Sequence, residues 1–336
     1  MAGIQLARQG FGVEIYEKRA DVGLRHHNDF QGLENWSQRT DVLQVLRDLG
    51  LQTDFFARPF KSGLLYLPSL RPIRVRSPQT MFYLIKRGPG EDTFDSLLKR
   101  QALDAGVRIH FNSGSQPDAD IIATGPPQAN ILAAGLNFET SQEDQARGIL
   151  SDDVAPKGYA YLLVADGRAT LATVLFRDFA SAQTCLQKAV DAFRRVMRLD
   201  MRNPRSFVGY GYFGAPKSGL RGKKLYLGEA VGFQDFLFGF GLRYALLSGY
   251  YAAHSIISGA NYDVLWKHAF GKYLVNSLVN RFFYERFTRA AYHVLRVALG
   301  LSENPRWYMR LLYGSPLQRC VYPMLPRNHS RLHTPA

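Results

Sequence analysis

The chain has 336 residues, 46% hydrophobic and 21% charged, which suits two domains or one large composite core and excludes a mainly disordered protein. Its formal net charge is +14, concentrated late: from Asn261 onward eleven Lys/Arg stand against three Asp/Glu. Two cysteines, Cys185 and Cys320, give neither a zinc spacing nor a disulfide framework. No secretory signal opens the sequence and no stretch reaches the roughly 18 apolar residues of a membrane span, so a cytoplasmic protein, soluble or lying on the inner membrane face, is expected.

In chain order, Gln5 to Arg19 reads as a helix running into a strand that ends on Glu17, the second half of a dinucleotide-binding unit. An acidic residue there accepts hydrogen bonds from a ribose diol. The chain opens at Met1-Ala2-Gly3, already inside the helix, so the expectation is a ribose clamp without the strand and glycine-rich turn that cradle a pyrophosphate. Gly23 to Trp36 reads as a loop and Ser37 to Gly50 as a helix. Short alternating runs between Phe60 and Lys86 predict strands of a separate sheet. Phe94 to Ala105 is helical, while Val107 to Phe111 and Ala119 to Gly125 return as strands of a parallel sheet. Tyr159 to Val164 and Thr170 to Phe176 flank Asp166-Gly167, a hairpin turn pair. Ala182 to Met197 is an amphipathic helix, Leu225 to Gly228 a last strand of the nucleotide domain, Gly241 to Ser258 a long helix. Beyond Tyr262 everything reads as helical, with Pro305, Pro316 and Pro323 as breaks.

The richest segment runs from Gly228 to Ala245: strand end, Glu229, a loop with Gly232, Gly239 and Gly241, and a helix start at Leu242. The carboxylate can hold a hydroxyl chain, and the helix N-terminus offers free N–H groups and its positive dipole end to an electron-rich ring such as a reduced flavin. A glycine-rich loop before a helix is also common in any α/β protein.

Gly-Glu-Ala-Val-Gly-Phe (Gly228 to Phe233) followed by Gly239 to Ala253 resembles the second flavin motif of the geranylgeranyl reductase family, among the p-hydroxybenzoate hydroxylase-like flavoproteins. Glu17-Lys18-Arg19 is similar to that family's ribose-binding strand end. Arg87 with Phe94-Asp95 and Leu98 to Gly106 is similar to its arginine and following helix. Pro156-Lys157-Gly158-Tyr159-Ala160-Tyr161 is similar to a strand that lines the cavity facing the flavin. Position 229 is Glu where the family usually has Asp, and Gly23-Leu24-Arg25-His26-His27 stands where the reductases carry a cysteine motif. Met1 aligns just past the family's first strand and glycine turn, from which weak flavin binding and poor folding are expected.

The resemblance implies an α/β fold: an FAD-binding Rossmann-like domain lacking its first strand over residues 1–58, 86–126 and 222–260, an antiparallel β-sheet substrate domain over 59–85 and 127–221, and a helical basic and aromatic region over 261–336. FAD would be held by Glu17, Lys18, Arg19, Arg87, Thr124, Gly125, Gly228, Glu229, Gly232, Gly239, Gly241 and Leu242, with NAD(P)H as a transient electron donor. The activity implied is hydride transfer from flavin N5 to a lipidic or polycyclic apolar substrate. A flavin monooxygenase or halogenase is the rival enzyme, and a flavin-free surface-binding remnant the rival outside enzymology.

His26 and His27 could serve as acid or base near the cofactor, or merely cap or face solvent; their spacing and the scarcity of other ligands exclude a metal site. Tyr159 and Tyr161 read as cavity lining before general acid. The tail interleaves Phe282, Phe283, Phe287, Trp307 and Tyr322 with arginines, which suits an anionic membrane surface better than nucleic acid; a helical cap with a solvated basic face is the alternative.

Overall fold

The computed structural model describes residues 1–114 and 116–325, so residues 326–336 of the expected 261–336 region lie outside it. The chain begins with α1 (Ala2–Arg8), β1 (Glu14–Tyr16), β2 (Phe30–Glu34), α2 (Val42–Asp48), β3 (Ala57–Phe60), β4 (Ser62–Tyr66), β5 (Pro72–Arg76) and β6 (Phe82–Lys86). It continues through α3 (Phe94–Asp104), β7 (Arg108–His110), β8 (Ile121–Ile122), β9 (Ile131–Glu139), β10 (Gln145–Ile149), β11 (Tyr159–Ala165), β12 (Arg168–Leu175), α4 (Ala182–Val196), β13 (Arg202–Gly211), β14 (Leu220–Arg221) and β15 (Lys224–Tyr226). Helices close the chain: α5 (Leu242–Ser258), α6 (Tyr262–Trp266), α7 (Lys272–Arg286), α8 (Thr288–Leu301), α9 (Arg306–Gly314) and α10 (Leu317–Val321).

The parallel layer is in two pieces. β1 pairs with β7, and β8 pairs with β15, to which β14 adds antiparallel. Among the described residues no strand joins β1 to β8, and all three residues of β1 are exposed. A seven-stranded sheet follows the order β13-β9-β12-β11-β10-β4-β5, antiparallel except where β10 runs parallel to β4. The β11–β12 hairpin turns through Asp166 (φ 48) and Gly167 (φ 71), the paired positive φ that an Asp-Gly turn supplies. The helix α4 covers this sheet, burying Leu186, Ala189, Val190 and Phe193 against Leu132, Ala134, Leu162 and Leu171. A second core joins α1, α2 and α3 through Ile4, Leu46, Phe94, Leu97 and Val107, and a third lies between α5, α6 and Phe233.

Several elements differ from the sequence reading. Phe30–Glu34 is a strand, not part of a loop; it pairs with β6, on whose other side β3 lies, in a small sheet that crosses the expected domain boundary at residue 58. The helix expected from Ser37 begins at Val42, because the Asp41 carboxylate accepts from the Leu43 N–H and sets the N-terminus there. β9, β10 and β13 were not anticipated. β13 carries Pro204 at a register shift on the sheet's edge, where a missing N–H is tolerated. Pro305 and Pro316 start α9 and α10, being their N-caps.

Candidate cofactor site

The N–H of Glu17 donates to the His110 carbonyl (2.9 Å), so the β1–β7 pair fixes where its carboxylate emerges. That carboxylate accepts from the Arg19 N–H at 2.9 Å, and Arg19 Nη1 donates to the Leu24 carbonyl at 2.8 Å; Lys18 is exposed. Further along this loop Arg25 reaches across the molecule. Its Nη1 pairs with Glu229 Oε2 at 3.0 Å and its Nη2 donates to the Tyr210 carbonyl at 3.1 Å. The same guanidinium lies 3.2 Å from where a Cβ on Gly125 would sit, beside the exposed Thr124. One cation therefore ties the loop after Glu17 to the turn after β8, to the end of β13 and to the 3-10 turn Gly228–Ala230 that follows β15.

The loop from Gly232 to Gly241 is held internally. Gly232 sits at φ +87 with the Gly214 nitrogen 2.5 Å from any Cβ it might carry, so only glycine fits there. Asp235 N–H donates to the Phe240 carbonyl (2.9 Å), Gly239 N–H to the Asp235 carbonyl (3.0 Å), and Gln234 Nε2 to the Gly239 carbonyl (2.6 Å). Gly241 is the N-cap of α5 with no side-chain cap, which leaves the N–H groups of the first turn, from Leu242 on, without a capping partner. Beside it the buried Gln234 Oε1 has no hydrogen-bond partner.

Tyr159 meets this loop from the large sheet: its hydroxyl donates to the Phe238 carbonyl at 2.6 Å, and its ring stands edge-on to Phe238. Burial raises the pKa of both Tyr159 and Tyr161, so each hydroxyl stays protonated and serves as a donor or an apolar wall, not as a base. Arg87 forms a bidentate pair with Asp95 (2.8 and 2.9 Å) and donates to Gln31 Oε1 (3.1 Å). Burial opposes its charge, but Asp95 outweighs that, with Asp29 and Glu229 adding to the hold, and its pKa is raised. Next to it, burial and then the Arg87 charge push His26 down to about 2. The His26 imidazole is therefore neutral at physiological pH; Asp29 at 3.7 Å is a polar neighbour, not an ion-pair partner, and His26 is not an acid–base group titrating near neutrality. His27 is exposed, and its carbonyl accepts from Asn137 Nδ2.

Sequence reasoning missed two groups, Arg25 and Gln234, while Asp235 reads from the sequence as a proton donor or a helix cap. Arg25 lies in Gly23-Leu24-Arg25-His26-His27, but its partner Glu229 is distant in sequence. Gln234 carried no signal. Asp235, fully buried, accepts at Oδ1 from the Tyr313 hydroxyl of α9 (2.8 Å) and at Oδ2 from the Phe238 N–H (2.6 Å), while Phe236 N–H donates to Ser277 Oγ of α7 (3.1 Å). Burial raises the Asp235 carboxyl to about 6.

No protein-family model matches the chain, and no curated protein matches it in sequence. Solved structures do. A geranylgeranyl bacteriochlorophyll reductase-like protein from Thermoplasma acidophilum superposes with a TM-score of 0.65 at 17% identity over 83% of each chain. A triple mutant of the flavin-dependent brominase Bmp2 gives 0.63 at 14% identity over 96% of this chain and 94% of that one. The oxygenase of 2-methyl-3-hydroxypyridine-5-carboxylic acid gives 0.53 at 13% identity over 84% and 89%. The chain has the fold of the FAD-dependent oxidoreductases. Three features fit parts of such a cofactor: an uncapped helix start and an orphaned buried amide oxygen beside it for the ring edge, and the Arg25–Glu229 pair for its anionic and hydroxyl groups. The cavities at Ser141 to Arg202, about 740 Å³, and at Arg8 to Ala105, about 200 Å³, are lined by none of these residues. Among the described residues no group of three His, Cys, Asp or Glu could hold a metal ion, and no helix is long and apolar enough to cross a membrane.

Proposed function

We propose that the protein is an FAD-dependent oxidoreductase that reduces a lipidic or polycyclic apolar substrate met at a membrane surface. The Arg25–Glu229 pair carries this reading, because it brings the loop that follows Glu17 against two segments that the sequence marks independently, the turn at Gly125 and the motif at Gly228-Glu229. Bound FAD would supply hydride chemistry at its ring, renewed by transient docking of NAD(P)H. Arg25 would neutralise the anionic part of the cofactor, Glu17 and Glu229 would accept from its sugar hydroxyls, and the first turn of α5 would present N–H groups to its ring edge. Tyr159 and Tyr161 would wall the substrate side with aromatic surface and keep water out.

The test is titration of the apoprotein with FAD, followed by quenching of flavin fluorescence. Arg25→Ala and Glu229→Ala should each weaken binding about tenfold, the cost of one charge-assisted contact. A folded protein that takes up no FAD, or that binds it equally well after both substitutions, would refute the reading. The brominase superposes over a larger share of both chains than the reductase-like protein does, which favours oxygen-dependent chemistry as the second reading. Oxygen consumption coupled to NAD(P)H oxidation separates the two.

A further inference from the structure

The helix α8 lies outside the candidate site, and its surface divides into three stripes. Thr288, Ala298 and Leu299 are buried toward the body of the protein, where α8 rests against β5. Phe287, Val294, Val297 and Leu301 follow one another at i, i+7, i+10 and i+14, which places them on one face, and all are exposed, Leu301 to 79%. Alongside run Arg289, His293 and Arg296, also exposed and spaced i, i+4, i+7, with Arg286 just before them. There is no acidic residue in α8, and from Thr288 to the end of the chain Glu303 alone opposes seven arginines. The neighbouring strand β5 exposes Arg74 and Arg76, and α9 exposes Trp307 and Leu311 one turn apart.

We infer that this face of α8 is a docking surface for an anionic lipid bilayer. An apolar stripe bordered by arginines matches the boundary between acyl chains and phosphate headgroups, where the aliphatic side chains enter and the guanidinium groups stay with the phosphates. Two copies paired through this stripe about a two-fold axis would bring their arginine rows toward each other, on a chain whose net charge is already +14. Nucleic acid would take the arginines and leave four large apolar side chains without a partner. At fourteen residues α8 is too short to span, so it lies along the surface. The docking rests on the apolar-substrate reading only for its purpose.

Flotation of the full chain with phosphatidylcholine vesicles, with and without phosphatidylglycerol, tests it with no cofactor or substrate present. The protein should float with the anionic vesicles and stay behind with the neutral ones. The triple variant Val294→Glu, Val297→Glu, Leu301→Glu should lower the bound fraction about tenfold or more, and Arg289→Glu should lower it while making the remainder less salt-sensitive. Leu103→Glu, an exposed leucine on α3, should leave flotation unchanged. Wild-type protein that ignores anionic vesicles, or a triple variant that floats as well as wild type, overturns the proposal. So does a wild-type dimer that the triple variant converts to a monomer with flotation intact, or duplex DNA binding that needs Arg289 but not the apolar stripe. FAD uptake by the triple variant should equal that of wild type; flotation without FAD uptake in the wild type would sink the flavin reading and leave the docking standing.

Discussion

Substituting Asp235 by Asn tests the link between the tail and the loop that begins α5. The Asp235 carboxyl is buried and accepts from Tyr313 and the Phe238 N–H, and its pKa rises from the usual value near 3.8 to about 6 because desolvation, with the Glu34 charge adding, outweighs the hydrogen bonds from Phe238, Tyr313 and Leu237. The titratable groups that face it are Tyr313 on α9, Tyr159 on β11, Tyr244 on α5 and Glu34 on β2; the tyrosines have raised pKa values and hold their protons throughout the acid range. A folded-state pKa raised above the unfolded one means that Asp235 stabilises most below the unfolded value and that this stability is lost as pH rises through about 6. A shift of about two units corresponds to roughly 3 kcal/mol between pH 4 and 7. Urea denaturation of wild type and Asp235→Asn at half-unit steps of pH gives the difference curve, in which other acidic groups cancel. The variant should gain on the wild type by up to about 3 kcal/mol from pH 4 to pH 7, with the midpoint below 6. A flat difference curve, or one that slopes the other way, would refute the burial argument.

Two further outcomes follow from the same structure. Gly158 approaches the Val174 carbonyl so closely that a methyl group would overlap its oxygen; Gly158→Ala should therefore cost about 1–3 kcal/mol and lower the melting temperature, and an unchanged melting curve would refute the close approach of β11 to β12. His26 has a folded pKa depressed to about 2, so the stability it contributes is complete above its unfolded value and is lost as pH falls. Imidazole NMR resonances of His26 should stay flat from pH 4 to pH 8, where an inflection near neutrality would restore it as an acid–base group.

The elements that carry their own local signal are legible in the sequence alone. The Asp166-Gly167 turn, the amphipathic period of α4 and the uninterrupted run of α5 need no tertiary partner to be recognised. β9 is the counterexample: Ala133-Ala134-Gly135 has little strand preference, yet β9 is paired along most of its length with both β12 and β13, and the sheet overrides the local sequence. β13 was hidden by Pro204, which only an edge position beside a bulge accommodates. The site divides in the same way. Glu17, Glu229 and the glycines announce themselves by their place at strand ends, whereas Arg25 matters only because it meets Glu229 from the far end of the chain.

The tail has a structural side as well as an exposed one. Its aromatic and basic composition is legible as a surface property, but composition does not reveal that one side of the same helices is structural. Asn276 on α7 holds α9 by donating to the Tyr313 and Ser315 carbonyls, and α9 in turn delivers the Tyr313 hydroxyl to Asp235. Ser277, the next residue on α7, accepts from the Phe236 N–H of the same loop. The inner face of the tail thus sets the conformation of the loop before α5, while its outer face carries the stripe on α8. α8 is coupled to that loop in two steps, covalently to α7 through Phe287, which is the C-cap of α7 and the N-cap of α8, and from α7 by the Ser277 hydrogen bond to Phe236.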